Sequence, residues 1–180
     1  MEMGSLGVRA RLGFRDQHGG GDELHEGGQA MSEMPAMRLA VVRLAHFSAY
    51  RGDWPWIHFT MTELADPATG ELVVVSTFLD WLEIVRHAYG RPIIVNDATR
   101  PAARQQRHSG RVIGSHVDGM AIDVRVHGED AELLERVAIE HGVLGRGVYQ
   151  SHDTPFEQRF LHLDRWTKAP PGLRPRLWSR

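Results

Sequence analysis

The sequence predicts a domain that mixes helices with strands, and three stretches predict it. From Ser76 to Ala88 and on to Tyr89, the residues Phe78, Leu79, Leu82, Val85 and Tyr89 recur at three- and four-residue intervals, the mark of a helix with one buried face. From Ala121 to Val126, the residues Ile122, Val124 and Val126 alternate with Ala121, Asp123 and Arg125, as in a strand whose two sides differ. Phe160 to Asp164 repeats the pattern: Leu161 and Leu163 turn inward, and Phe160, His162 and Asp164 share the opposite face. With 180 residues, of which 42% are hydrophobic, the chain is long enough for one domain with a substantial core.

Taken in order, residues 1–36 are rich in glycine and scattered charge and poor in large apolar side chains, which predicts a disordered tail before a single domain over residues 37–180. Methionines at 31, 34 and 37 leave the natural start open, and His18 and His25 read as solvated. Met37 to Tyr50 leans towards strand, and Trp54-Pro55-Trp56 reads as an extended segment packed over an edge. Thr60 is placed to cap a short helix, and His58 reads as a partly buried structural histidine.

The helix at Ser76 is capped by Ser76 or Thr77 and ended by Gly90. Arg91 to Val95 is a short apolar run bounded by turn formers, read as a buried strand. Ala102 to His108 reads as a short exposed helix. Asp130 is expected to cap another, with Leu133, Leu134, Val137 and Ala138 as its apolar stripe and Gly142 as its end. Gly145 to Tyr149 reads as a glycine-rich turn into a strand, and lacks the Lys-Ser/Thr ending of a phosphate loop. From Trp166 onward the chain is proline-rich and basic, a tail along the surface.

Composition narrows the chemistry. A formal net charge of -2 gives no electrostatic case for nucleic acid, and no polybasic run suggests a membrane arm. With no cysteine, any metal must be held by nitrogen and oxygen, and 11 histidines supply the nitrogen. Neither a signal peptide nor a membrane span is expected, since Arg43 interrupts the best apolar stretch, Leu39 to Phe47. An action outside the cytoplasm would then need lysis or an unusual export route.

The residues that carry chemistry gather in two stretches. If the strands at 121–126 and 160–164 are neighbours, His116, Asp123 and His162 converge, and two imidazoles with one carboxylate suit a catalytic zinc site that keeps one position open. A turn at Gly119 is what lets His116 fold back towards Asp123. The alternative is a hairpin with incidental polar residues. Arg100, held out of helix by Pro101, stands where a guanidinium can clamp a carboxylate, or is merely solvated beside Asp97. Tyr149 precedes the loop of His152, Asp153 and Glu157, where it lines the same cleft or packs in the core.

Ser115-His116-x2-Gly119-x-Ala121-x-Asp123, a Gly-Val-Tyr turn and Phe160-x-His162-x-Asp164 together resemble the M15 zinc peptidases, in the D-alanyl-D-alanine carboxypeptidase-like branch of bacterial and phage wall-cutting proteins. The resemblance spans roughly Phe59 to Arg165. It implies a small α+β domain of hedgehog/DD-peptidase type, with a mainly antiparallel sheet and flanking helices. It implies Zn2+ on His116, Asp123 and His162, cleavage of peptide bonds in peptidoglycan stems, and Arg100 near the substrate; Ser115 and Tyr149 are the further candidates for the substrate side. Better-studied members carry Glu-x-x-His, yet Arg159 stands three residues before His162. For the proton-carrying carboxylate this leaves Asp164 first and Glu157 second, with Asp164 alternatively orienting a ligand histidine. A zinc-binding module without hydrolysis, or a peptidase acting on a non-wall peptide, are the rival readings.

Overall fold

Two sheets and four helices make up the computed structural model, which describes residues 41–172 and 175–179. The tail expected at residues 1–36 lies outside the described residues. The order is β1 Val41–Leu44, α1 Met61–Leu64, β2 Leu72–Val75, α2 Ser76–Tyr89, β3 Val95–Asp97 and α3 Ala102–Ser109. Then come β4 Ala121–Arg125, α4 Gly128–Glu140, β5 Gly145–Tyr149, β6 Phe160–Asp164 and β7 Arg176–Ser179. Strands β1 and β2 pair antiparallel, and the other five form a sheet in the order β3-β4-β6-β5-β7. Its first four strands are antiparallel neighbours and β7 joins β5 in parallel, so the fold is α+β with a mainly antiparallel sheet.

The alternation in β4 and β6 does the sorting. Ile122, Val124, Leu161 and Leu163 are fully buried together with Phe78, Leu79, Leu82 and Val85 of α2 and Leu134 of α4. Burying each such side chain contributes about 1.5–3 kcal/mol, which makes this face the core. The opposite face of the same strands is then left to Asp123, His162 and Asp164. The stripe of α4 is Ala131, Leu134, Val137 and Ala138, with Leu133 only half-buried.

Several boundaries differ from the sequence reading. α2 follows β2 without a break: its cap position is Val75, which makes no side-chain cap bond, while Gly90 ends it in the left-handed conformation at φ 70. The strand expected at Arg91–Val95 begins at Val95, since Pro92 cannot donate to a ladder; Ile93 still reaches the core, whereas Ile94 is 43% exposed. α4 begins at Gly128 after His127, so Asp130 is not the cap but sits in the first turn, where its carboxylate suits the helix dipole and pairs with Arg91. Thr60 does cap α1, accepting from Glu63 N. His58 is exposed rather than partly buried, with Nδ1 2.5 Å from Glu83. The expected C-terminal surface tail contains β7.

Candidate metal centre

Register brings the site together. β4 pairs with β6 so that Asp123 stands opposite His162 and Ala121 opposite Asp164. His116 arrives from the turn that precedes β4, in which Met120 N donates to Ser115 O at 2.9 Å and Gly119 N to His116 O at 3.4 Å. Gly119 has φ 69, and a Cβ there would lie 2.5 Å from Val73 O, so the turn lies directly on the backbone of β2. Asp118 ties it to the far side of β6, accepting from Trp166 Nε1 at 2.7 Å and from Lys168 Nζ at 3.2 Å.

The three donor atoms form a tight triangle. His162 Nδ1 lies 2.7 Å from Asp123 Oδ1, His116 Nε2 lies 3.3 Å from the same oxygen, and the two nitrogens are 3.1 Å apart. All three residues are buried. The remaining nitrogens fix the tautomers, since carbonyls and carboxylates only accept: His116 Nδ1 donates to Ala98 O at 2.7 Å, and His162 Nε2 donates to Asp164 Oδ2 at 3.1 Å. In the neutral rings, His116 Nε2 and His162 Nδ1 therefore carry lone pairs, and with Asp123 Oδ1 they make three acceptors aimed at one point. Only a cation or a proton satisfies such a cluster. Zinc bonds of about 2.0–2.1 Å in a tetrahedron ask for donors a little over 3 Å apart, so the residues present fit the metal.

With a proton in that place, burial opposes charge on His162, but its hydrogen bonds to Asp123 and Asp164 outweigh this and lift it to about 9. Burial likewise pushes Asp123 up, yet His116 and His162 hold its carboxyl below the usual carboxylate range.

Arg100 is buried beside the triangle. Its Nε and Nη2 donate to Asp97 Oδ2 at 2.9 and 2.5 Å, Nη2 also reaches Asp123 Oδ2 at 3.2 Å, and Nη1 donates to Gln105 Oε1 at 3.1 Å. The arginine is thus beside Asp97, as one reading of the sequence had it, but enclosed rather than solvated. Arg104 adds a second guanidinium on Asp97 Oδ1 at 2.9 Å and also pairs with Asp66. Arg100, Arg104, Arg107 and His108 line an open cleft together with Asp123 and Phe160.

The other expected site residues fall in different places. Asp164 is 0% exposed; Oδ2 meets His162 and Oδ1 accepts from Trp166 N at 3.0 Å. Ser115 is buried next to His116. Tyr149 stacks on Phe160 with centroids 4.2 Å apart. Glu157 is exposed and lines a separate cavity with Val124, Arg125 and Phe156. Arg159, in the place of the expected glutamate, holds its own loop through Thr154 O at 2.8 Å and His152 O at 3.2 Å. Sequence reasoning missed Gln105, the Ala98 carbonyl and Trp178, whose indole lies 5.1 Å from the His162 ring.

Fold and site together define an α+β domain built around a centre of three donors able to hold a metal. Residues 57–164 match the family model described as Peptidase M15, and the chain belongs to that family. M15 peptidases are metallopeptidases, so the protein is a peptidase and its substrate class is peptide. No match was found among curated proteins or among solved structures.

Proposed function

We propose that the protein is a zinc peptidase that cleaves peptide bonds in peptidoglycan stem peptides, as a D-Ala-D-Ala carboxypeptidase or an endopeptidase. The observation that carries the reading is the convergence of His116 Nε2, Asp123 Oδ1 and His162 Nδ1, three buried acceptors within 3.3 Å of one another. When bound, zinc supplies Lewis acidity and an activated water at neutral pH.

The chain's own residues do the rest. Asp164 orients His162: both of its oxygens are engaged and it is buried behind the ring, which suits a positioning role better than proton transfer. The second candidate for the proton-carrying carboxylate, Glu157, is exposed in the separate cavity beside Val124 and Arg125, so it serves the site only where the loop after Pro155 folds back towards Asp123. Arg100 holds Asp123 in place and, with Arg104, Arg107 and His108, gives the cleft a cationic wall suited to the carboxylates of a stem peptide. Ser115 and Tyr149 complete the substrate side.

A second reading, a zinc-binding module without hydrolysis, is favoured by one observation: the position three before His162 is occupied by Arg159, which is committed to its own loop. Digestion of purified muropeptides by the zinc-loaded protein, followed by mass spectrometry, decides between them. New stem-peptide termini are expected. Intact muropeptides in the presence of bound zinc would favour the module, and cleavage of other peptides alone would point to a non-wall substrate. The setting in which such a wall-directed enzyme acts, reached by lysis or another route, belongs to the same proposal. Among the described residues, no helix is long and apolar enough to cross a membrane.

A further inference from the structure

One row of residues crosses the whole five-stranded sheet. Asp97 is the register partner of Asp123, Asp123 of His162, His162 of Gly147, and Gly147 of Trp178. Register partners project from the same face, so Trp178 and His162 emerge side by side with only Gly147 between them. Because Gly147 has no side chain, the indole fills that position: a Cβ there would lie 2.7 Å from both Cε2 and Nε1 of Trp178. The ring thereby reaches across a full strand to His162, with centroids 5.1 Å apart and planes inclined at 46°.

The indole is pinned as well as close. Nε1 donates to the Tyr149 hydroxyl at 3.0 Å, Tyr149 is in turn stacked on Phe160 at 4.2 Å, and the Arg176 guanidinium lies 5.2 Å from the indole centroid. Turning the ring away costs the Tyr149 hydrogen bond and the Arg176 contact. His162 is then flanked by three held groups: Asp164 at Nε2, the His116 ring at 4.9 Å, and the tilted Trp178 ring at 5.1 Å.

A packing role for the strand alone does not account for this. None of Arg176, Leu177, Trp178 and Ser179 belongs to the buried core, and Leu177 is 57% exposed. β7 also lies beyond the segment matched by the family model, which ends at residue 164.

We infer that Trp178, carried by the C-terminal strand β7 and admitted by Gly147, is a positioning residue that holds His162 in its metal-binding orientation and keeps water off that flank of the site. The inference rests on the reading that His116, Asp123 and His162 hold the metal. A clamped ligand ring loses less conformational freedom on binding and sits in a drier environment, and outer partners of this kind are worth about 10–100-fold in metal affinity.

The test is a zinc titration of the full chain against a chromogenic chelator, with Trp178→Ala, Trp178→Phe, Gly147→Ala and the Trp178→Ala/Gly147→Ala double variant. Trp178→Ala is expected to weaken zinc binding about tenfold or more while the metal-free protein melts close to the parent temperature. Phe, which restores a ring, is expected to recover most of the affinity. Gly147→Ala should weaken binding by displacing the indole, and the double variant should be no weaker than Trp178→Ala, since both act through one contact. Zinc should also change the tryptophan emission of the parent, and Trp178→Phe should lose most of that change, a readout that needs no fully stable alanine variant. Parental zinc affinity in Trp178→Ala, or losses that add in the double variant, would overturn the inference. His116→Ala serves as the control: if it abolishes zinc binding while Trp178→Ala keeps parental affinity, the inference alone fails, and if it binds zinc normally, the three-donor reading fails with it.

Discussion

Asp164 Oδ2 accepts from His162 Nε2 at 3.1 Å, on the opposite side of the ring from the nitrogen that faces Asp123. The carboxylate thereby selects the tautomer that leaves Nδ1 free to bind, while its second oxygen accepts from Trp166 N at 3.0 Å. A Cβ on Gly145 would lie 2.2 Å from Oδ2, so the neighbouring strand leaves the group no other place. Asp164→Ala is expected to lower zinc affinity about 10–100-fold and to cost about 1–3 kcal/mol of stability by leaving buried donors unpaired. Asp164→Asn, which keeps an acceptor, should lose less of both. Chelator competition and thermal melts of the two variants check this, and parental affinity in the alanine variant would remove the orienting role.

Metal uptake and acidity are linked through the same ring. In the metal-free protein His162 is lifted to about 9, so at neutral pH it holds a proton that a metal must displace. Zinc affinity should therefore fall about tenfold for each pH unit below 9, with about one proton released per ion from this group. For the metal-free fold the sign is that of a raised pKa. The stabilisation is fully present below the unfolded value near 6.5 and is lost as pH rises through 9. Calorimetry in buffers of different ionisation enthalpy measures the proton release, and a pH-independent affinity between about 7 and 9 would contradict it.

How much of this was legible depended on whether a residue's partner was near in sequence. Alternation alone put Leu161 and Leu163 inside and His162 with Asp164 outside, and it placed Asp123 on the polar face of β4, because a strand's period is a local property. The α2 helix was equally readable from Phe78 to Tyr89, and the turn at Gly119 from its glycine. β3 starts four residues later and ends two later than expected because Pro92 removes a ladder donor while Ile93 still packs inward, so apolar character and strand pairing separate there. β7 was not readable at all. Arg176 to Ser179 become a strand only against β5, and Trp178 matters only because Gly147 happens to be its register partner. Arg100 looked equally like a clamp and a solvated side chain. What decides is Gln105 and Asp123, which the fold brings up from 5 and 23 residues away.

The glycine at 119 supports a quantitative expectation. Its φ of 69 is costly for any residue with a Cβ, and the space a Cβ would need is taken by Val73 O and Val74 Cα. Gly119→Ala should destabilise the fold by at least about 1–2 kcal/mol. Because the turn also delivers His116, zinc affinity should fall with it. Differential scanning calorimetry with and without zinc separates the two effects: an unchanged melting temperature for the metal-free variant would mean that the turn can relax away from β2.

Glu157 gives the sharpest test of the proposed chemistry. It does not touch the three donors, so Glu157→Gln should leave zinc affinity and melting temperature at the parental level. If it carries the proton, the same variant should lose about 100-fold or more in kcat on a stem peptide, the scale of general acid-base catalysis, with little change in KM. Asp164→Asn should show the opposite signature, with weakened zinc binding and activity recovered in large part by excess metal. Full turnover by Glu157→Gln would remove that residue from the mechanism. A loss in Asp164→Asn that persists at saturating zinc would return Asp164 to the proton-carrying role for which the sequence first suggested it.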